Sequence, residues 1–185
     1  NFIDDNALKQ IRDFVNRGEW TGETDTGDEI RSSLLEGFVS KLLLELSADI
    51  ARDASPLVGH CPLSSLWVYK YFLNRGTRVP HADAGKITFN IWITPNECNR
   101  GPAGGLRLWP MHASVGYYGR DKDWQRRYMQ HRLRGRENDC FVVPYKCNRA
   151  IIFDSTLIHQ TDQFHFDESH IGRRANITLT YGLFS

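Results

Sequence analysis

The sequence predicts a mainly β protein with flanking helices, built as an antiparallel barrel or a double-sheet sandwich with helices backing one sheet. Three observations predict it. Apolar residues at helical spacing are concentrated in the first 56 positions. From about residue 57 the chain turns to short runs rich in β-branched and aromatic residues, separated by Gly, Pro and Asn. Two of those runs alternate apolar and polar side chains with the period of two that gives a strand one face of each kind.

The first element, IDDNALKQIRDFVN, sets Ile3, Leu8, Ile11 and Phe14 near helical spacing behind acidic residues, an amphipathic helix. TGETDTGDE reads as a polar loop, and SSLLEGFVSKLLLELSADIARDA, residues 32–54, as a longer helix ending near Pro56. The strand-like runs are LWVYKYFL, KITFNIWIT, GLRLW, CFVVPY, RAIIF and NITLTYGLF. They are interrupted by residues 121–134, DKDWQRRYMQHRLR, where Trp124, Tyr128 and Leu133 predict a helical insertion. In KITFNIWIT, Ile87, Phe89, Ile91 and Ile93 share one face and Thr88, Asn90, Trp92 and Thr94 the other. In RANITLTY, Ala175, Ile177, Leu179 and Tyr181 oppose Arg174, Asn176, Thr178 and Thr180. Such a polar face either meets water, as in a one-sided sheet, or lines a cavity, where an arginine, two hydroxyls and an amide suit an anion.

At 185 residues the chain fits one domain, 1–185, with 1–56 as helical support and 57–185 as the β body. Hydrophobic residues at 41% and charged residues at 24% are ordinary globular values, which argues against disorder and against a membrane class. No apolar run approaches the roughly 18 residues of a spanning helix, and no charged stretch followed by an apolar one opens the chain, so a cytoplasmic location is expected. Residue 1 is Asn, which leaves open a leader or a further domain before it. A net charge of +1 gives no global reason to expect nucleic acid. Seven Lys or Arg between Arg120 and Arg136, against Asp121 and Asp123, read either as a solvated face or as a surface for an anionic partner. Cys61, Cys98, Cys140 and Cys147 form neither a C-x-x-C pair nor a framework spacing, so reduced thiols are expected.

The stretch RVPHADAG places an imidazole and a carboxylate two residues apart, His81 and Asp83, just before an alternating strand. A second H-x-D, His165 and Asp167, occurs in FHFDE, so the dipeptide pattern decides nothing alone. What distinguishes the first pair is His159, which follows an apolar strand 76 residues beyond Asp83. Two imidazoles and a carboxylate can occupy one face of an octahedron and leave three positions open, an arrangement suited to non-haem Fe(II) and oxygen chemistry. Arg174 follows 15 residues later at the head of its polar face, placed to hold a carboxylate bidentately.

In this order and spacing the chain resembles the Fe(II)/2-oxoglutarate-dependent oxygenases of prolyl-hydroxylase-like type. The pieces that carry the resemblance are YKYF, RVPHAD, NIWITP, GGLRLW, NRAIIFDSTLIHQTD and RRANITLTYG, over roughly residues 65–185, and they look like a group of bacterial members, some attached to tetratricopeptide repeats. The resemblance implies a double-stranded β-helix, with Fe(II) held by His81, Asp83 and His159. It implies 2-oxoglutarate gripped by Arg174, with Asn176, Thr178, Tyr71 and Asn90 as further cofactor contacts, and O2 as co-substrate. The implied reaction is hydroxylation of a small molecule, an amino acid or a protein side chain, with release of succinate and CO2. Asp83 fits hydroxylation, or demethylation through an unstable hydroxylated product, rather than halogenation, since related halogenases lack that carboxylate. Arg174, Asn176 and Thr178 also look like the corresponding strand of the AlkB-type nucleic-acid dealkylases, but those carry a second arginine where this chain has Thr180. A jelly-roll module that binds sugar or peptide without iron is the rival class, and it would need no such set of four residues.

Overall fold

The computed structural model describes residues 1–18, 20, 22–23, 29–72 and 79–183. In chain order the elements are α1 (Asp5–Arg17), β1 (Gly22–Glu23), β2 (Glu29–Ser33), α2 (Lys41–Asp53), α3 (Ser55–Val58), β3 (Leu63–Tyr71), β4 (Ile87–Trp92), β5 (Leu106–His112), α4 (Lys122–Leu133), β6 (Phe141–Val143), β7 (Ala150–Asp154), β8 (Leu157–Thr161) and β9 (Ala175–Tyr181). They form a six-stranded major sheet, β1-β2-β3-β9-β4-β7, and a three-stranded minor sheet, β6-β5-β8, antiparallel throughout. The architecture is the mainly β, helix-backed double sheet that the alternating runs predict. Most of the loop TGETDTGDE lies outside the described residues.

Helix α1 begins where Asp4 accepts the backbone N–H groups of Asn6 and Ala7, satisfying donors that have no partner inside the helix. Its Leu8, Ile11 and Val15 and the Leu43 and Ile50 of α2 pack on the outer face of the major sheet, against Leu66, Val68, Phe89, Ile91, Ile177 and Leu179. The Tyr181 hydroxyl donates to the Ser47 carbonyl of α2 at 2.7 Å and pins helix to sheet. The predicted helix over 32–54 starts later than its periodicity suggests. Residues 29–33 pair with β3 instead, and Gly37 takes a left-handed conformation (φ 87°) that closes a short turn before Ser40 caps α2. The helical insertion of residues 121–134 is α4, capped by Asp121 and packed through Met129 and Leu133 on Trp109 and Ile158 of the minor sheet. All four cysteines are free thiols. Among the described residues no helix is long and apolar enough to cross a membrane.

The alternation of β4 and β9 decides what lies between the sheets. Their apolar sets face the helices, and their polar sets face inward, toward β5 and β8. Thr88 stands opposite Thr180, Asn90 opposite Thr178 and Trp92 opposite Asn176, so the inner wall carries a polar strip running along two paired strands.

Candidate metal and cofactor site

At one end of that strip the chain assembles its three strongest metal-ligand candidates. His81 and His159 form an antiparallel bridge, each backbone N–H donating to the other's carbonyl at 2.9 and 2.8 Å, which lays the two rings side by side with centroids 4.3 Å apart. Asp83 follows two residues on, its backbone N–H held by the Ser155 carbonyl at 2.8 Å. Ala82, between them, points to the opposite side and packs with Trp109 and Ile158, so the two-residue spacing puts both donors on one side. The Nε2 atoms of His81 and His159 lie 3.9 and 3.6 Å from the Asp83 carboxylate oxygens, and one donor atom from each of the three residues falls within 4.8 Å of the others.

The rings are oriented by the backbone. Nδ1–H of His81 donates to the Val79 carbonyl at 3.0 Å, and Nδ1–H of His159 to the Leu157 carbonyl at 2.9 Å. With Nδ1 carrying the proton, each Nε2 keeps a lone pair directed at the Asp83 side, the tautomer a metal requires. Phe153 meets the His159 ring edge-on at 4.9 Å, and Thr88 donates to Asp83 Oδ2 at 3.2 Å while bonding Ser155. Sequence reading did not single out Ser155, Phe153 or the two carbonyls, since nothing in a linear pattern marks a residue that orients another.

The other end of the strip is built around Arg174. Its side chain is 1% exposed, its Nε donates to the Gly104 carbonyl at 2.9 Å and its Nη1 to Asn176 Oδ1 at 2.9 Å. The guanidinium lies over the rings of Tyr71 and Phe164 at 4.9 and 5.5 Å. Asn176 passes the order on to Thr178 Oγ1 (3.2 Å), which also faces the Asn90 amide (3.4 Å), and the Tyr71 hydroxyl sits 3.4 Å from Thr161 Oγ1. All five predicted cofactor contacts therefore line one inner wall. Gly104 earns its place by conformation: its φ of 110° is one a side chain rarely adopts, and it aims the carbonyl at Arg174. At Gly105 a Cβ would collide with the Val143 carbonyl of the neighbouring strand.

Arg173, the residue before Arg174, points the opposite way, as neighbours on extended chain do, and lies over the Phe72 ring. The second H-x-D is spent on structure. Asp167 holds Arg100 in a two-point ion pair, and His165 is exposed. His60, His112 and His131 are exposed as well. Near Asp83, burial pushes the Tyr117 phenol up, opposed by its bond to the Ala82 backbone, and burial raises Tyr118 further. A separate groove of about 510 Å³ opens beyond the outer face of the major sheet, between α1 and α2, lined by Ile11, Leu46, Ile50 and Phe89 with Glu45 and Asp49 at its rim. It contains none of the candidate ligands, whereas every convergent polar group described above lies between the sheets.

The interior fits a metal and an anionic ligand. The donor set is two imidazoles and a carboxylate, and a fully buried guanidinium has no carboxylate among its hydrogen-bond partners in the described residues. Two buried polar atoms of the strip, Asn90 Oδ1 and Trp92 Nε1, make no hydrogen bond among the described residues. The free end of the Asn90 amide could meet a ligand as donor or acceptor, since the amide can present either atom.

No family model matches the chain, and no curated protein sequence does. Solved structures do. The carbocyclase SnoK of nogalamycin biosynthesis, a non-haem α-ketoglutarate-dependent enzyme, superposes with a TM-score of 0.65 at 14% identity over 97% of this chain and 76% of its own. HygX from Streptomyces hygroscopicus, solved with nickel and 2-oxoglutarate bound, gives 0.63 at 12% identity over 98% and 80%. A prolyl hydroxylase from Trichoplax adhaerens, solved with a hypoxia-inducible-factor peptide, gives 0.59 at 12% identity over 98% and 80%. The chain thus has the double-stranded β-helix fold of the Fe(II)/2-oxoglutarate oxygenases, with a His-Asp-His group that could bind the iron.

Proposed function

We propose that the protein is a non-haem Fe(II)- and 2-oxoglutarate-dependent dioxygenase that hydroxylates a small molecule, an amino acid or a protein side chain. One observation carries the reading: His81, Asp83 and His159 converge at one end of an inner polar strip whose other end is a buried, carboxylate-free Arg174. In this reading His81, Asp83 and His159 hold the iron, and Arg174 binds the far carboxylate of 2-oxoglutarate. The chemistry supplied by the bound pair is oxidative decarboxylation, in which O2 and 2-oxoglutarate give succinate and CO2 and one oxygen atom enters a substrate C–H bond.

The chain's own residues bind, orient and exclude water. The Val79 and Leu157 carbonyls fix both imidazole tautomers, and Thr88 and Ser155 set the carboxylate plane of Asp83. Gly104 and Asn176 hold the guanidinium fork, while the Tyr71 and Phe164 rings under it keep water from the cation and strengthen its grip on an anion. Calorimetric titration with Mn(II) should find one site, lost in His159→Ala. Binding of 2-oxoglutarate to the metal-loaded protein should weaken about 10- to 100-fold in Arg174→Ala, the range for a buried charge-assisted pair. Undiminished metal binding by His159→Ala would remove the triad from the account.

A further inference from the structure

We infer that the indole N–H of Trp92 is a second donor to the carboxylate that Arg174 binds, an inference that rests on the cofactor reading above. Trp92 is 0% exposed, and its Nε1 has no hydrogen-bond partner among the described residues. Buried donors left unpaired are rare because each gives up its hydrogen bonds to water without replacement, so this one calls for a ligand. Packing among Leu106, Phe153 and Tyr145 asks only for an apolar ring and gives no use to the indole N–H.

Position says which ligand atom the donor meets. Trp92 stands directly opposite Asn176, the residue whose Oδ1 takes the Arg174 Nη1 proton, so indole and guanidinium belong to the same level of the strip. The metal end is marked by Thr88, which bonds Asp83 and lies four residues back on β4, roughly 13 Å along the strand. The indole is therefore placed to serve the arginine end. Its ring is held there by stacking on Tyr145 (centroids 5.2 Å, 25°), itself anchored by its hydroxyl donating to the Thr94 carbonyl at 2.6 Å. Indole and guanidinium both donate and neither accepts, so together they demand an acceptor, and the cation makes an anionic one the best fit.

The test uses the full chain with Zn(II) in place of iron and 15N-labelled tryptophan. Five tryptophans give five indole resonances, and Trp92→Phe identifies one of them. Should that variant fail to fold, substituting Trp20, Trp67, Trp109 and Trp124 singly assigns Trp92 by elimination. Adding 2-oxoglutarate should move the Trp92 indole proton downfield, while that of Trp109, already bonded to the Arg136 carbonyl, stays. Trp92→Phe should bind 2-oxoglutarate about tenfold more weakly by calorimetry, with Zn(II) affinity unchanged. Binding of 2-oxoglutarate with an unmoved Trp92 resonance overturns this inference and leaves the cofactor reading standing. No binding by the folded, metal-loaded wild type overturns both.

Discussion

Two buried basic residues, Arg174 just before β9 and Lys70 on the adjacent strand β3, show how a basic group's surroundings decide its behaviour. Arg174 faces inward with two donated hydrogen bonds and aromatic rings beneath it, the setting from which the proposed function has it bind a carboxylate. Lys70 faces the other way, 1% exposed, donating to Asn16 Oδ1 at 2.8 Å with His170 Nε2 at 3.3 Å and Arg173 near. Burial, helped by Arg173, lowers its pKa from 10.5 to about 8. Below that pH the ammonium is charged in both states, and the folded protein carries the full cost of burying it. Between about pH 8 and 10.5 the folded amine is neutral while the unfolded one still holds its proton, so the unfolded state binds more protons and stability rises with pH. Thermal melts should therefore find Lys70→Met more stable than wild type below pH 8, with the advantage shrinking up to about pH 10.5. An advantage that grew over that window would mean that the amine is charged in the fold.

Strands β4 and β9 carry the inner polar strip, and they are the most legible elements because half-buried strands must alternate. Their polar sets could as well have met water. Only the minor sheet, packed opposite, makes them a cavity wall, and that is a matter of tertiary packing. Strand β8 was harder to read: Leu157–Thr161 is short and mostly polar, so His159 was expected after a strand, whereas it sits at the middle of one. Helix α2 starts later than the apolar spacing of residues 32–54 predicts because Ser32 and Ser33 hydrogen-bond along β3 and Gly37, at φ 87°, closes a separate turn before the helix. Helix α4 makes its own prediction. Leu133, 5% exposed against the minor sheet's outer face, stabilises the insertion, and Leu133→Ala should cost about 2–4 kcal/mol. Because the proposed metal ligands stand on the other face of that sheet, Zn(II) affinity below the melting temperature should be unchanged. A loss of affinity in the folded variant would show that α4 supports the site.

Across the whole molecule, His81, Asp83, His159 and Arg174 stand out as candidates in the sequence because each type has a specific chemistry and their order is informative, and the fold brings the first three together. The groups that orient them could not, since carbonyls, Gly104 and Ser155 have no signature outside the folded structure. The account's central claim is that the two ends of the inner strip serve one metal-chelating keto acid. Anaerobic titration of the chain with Fe(II) and 2-oxoglutarate tests it most directly, by the weak visible charge-transfer absorption that arises when the keto acid chelates iron. The account predicts that band in the wild type and its loss or alteration in Asp83→Ala. A folded, metal-loaded wild type that shows neither the band nor 2-oxoglutarate binding would contradict it.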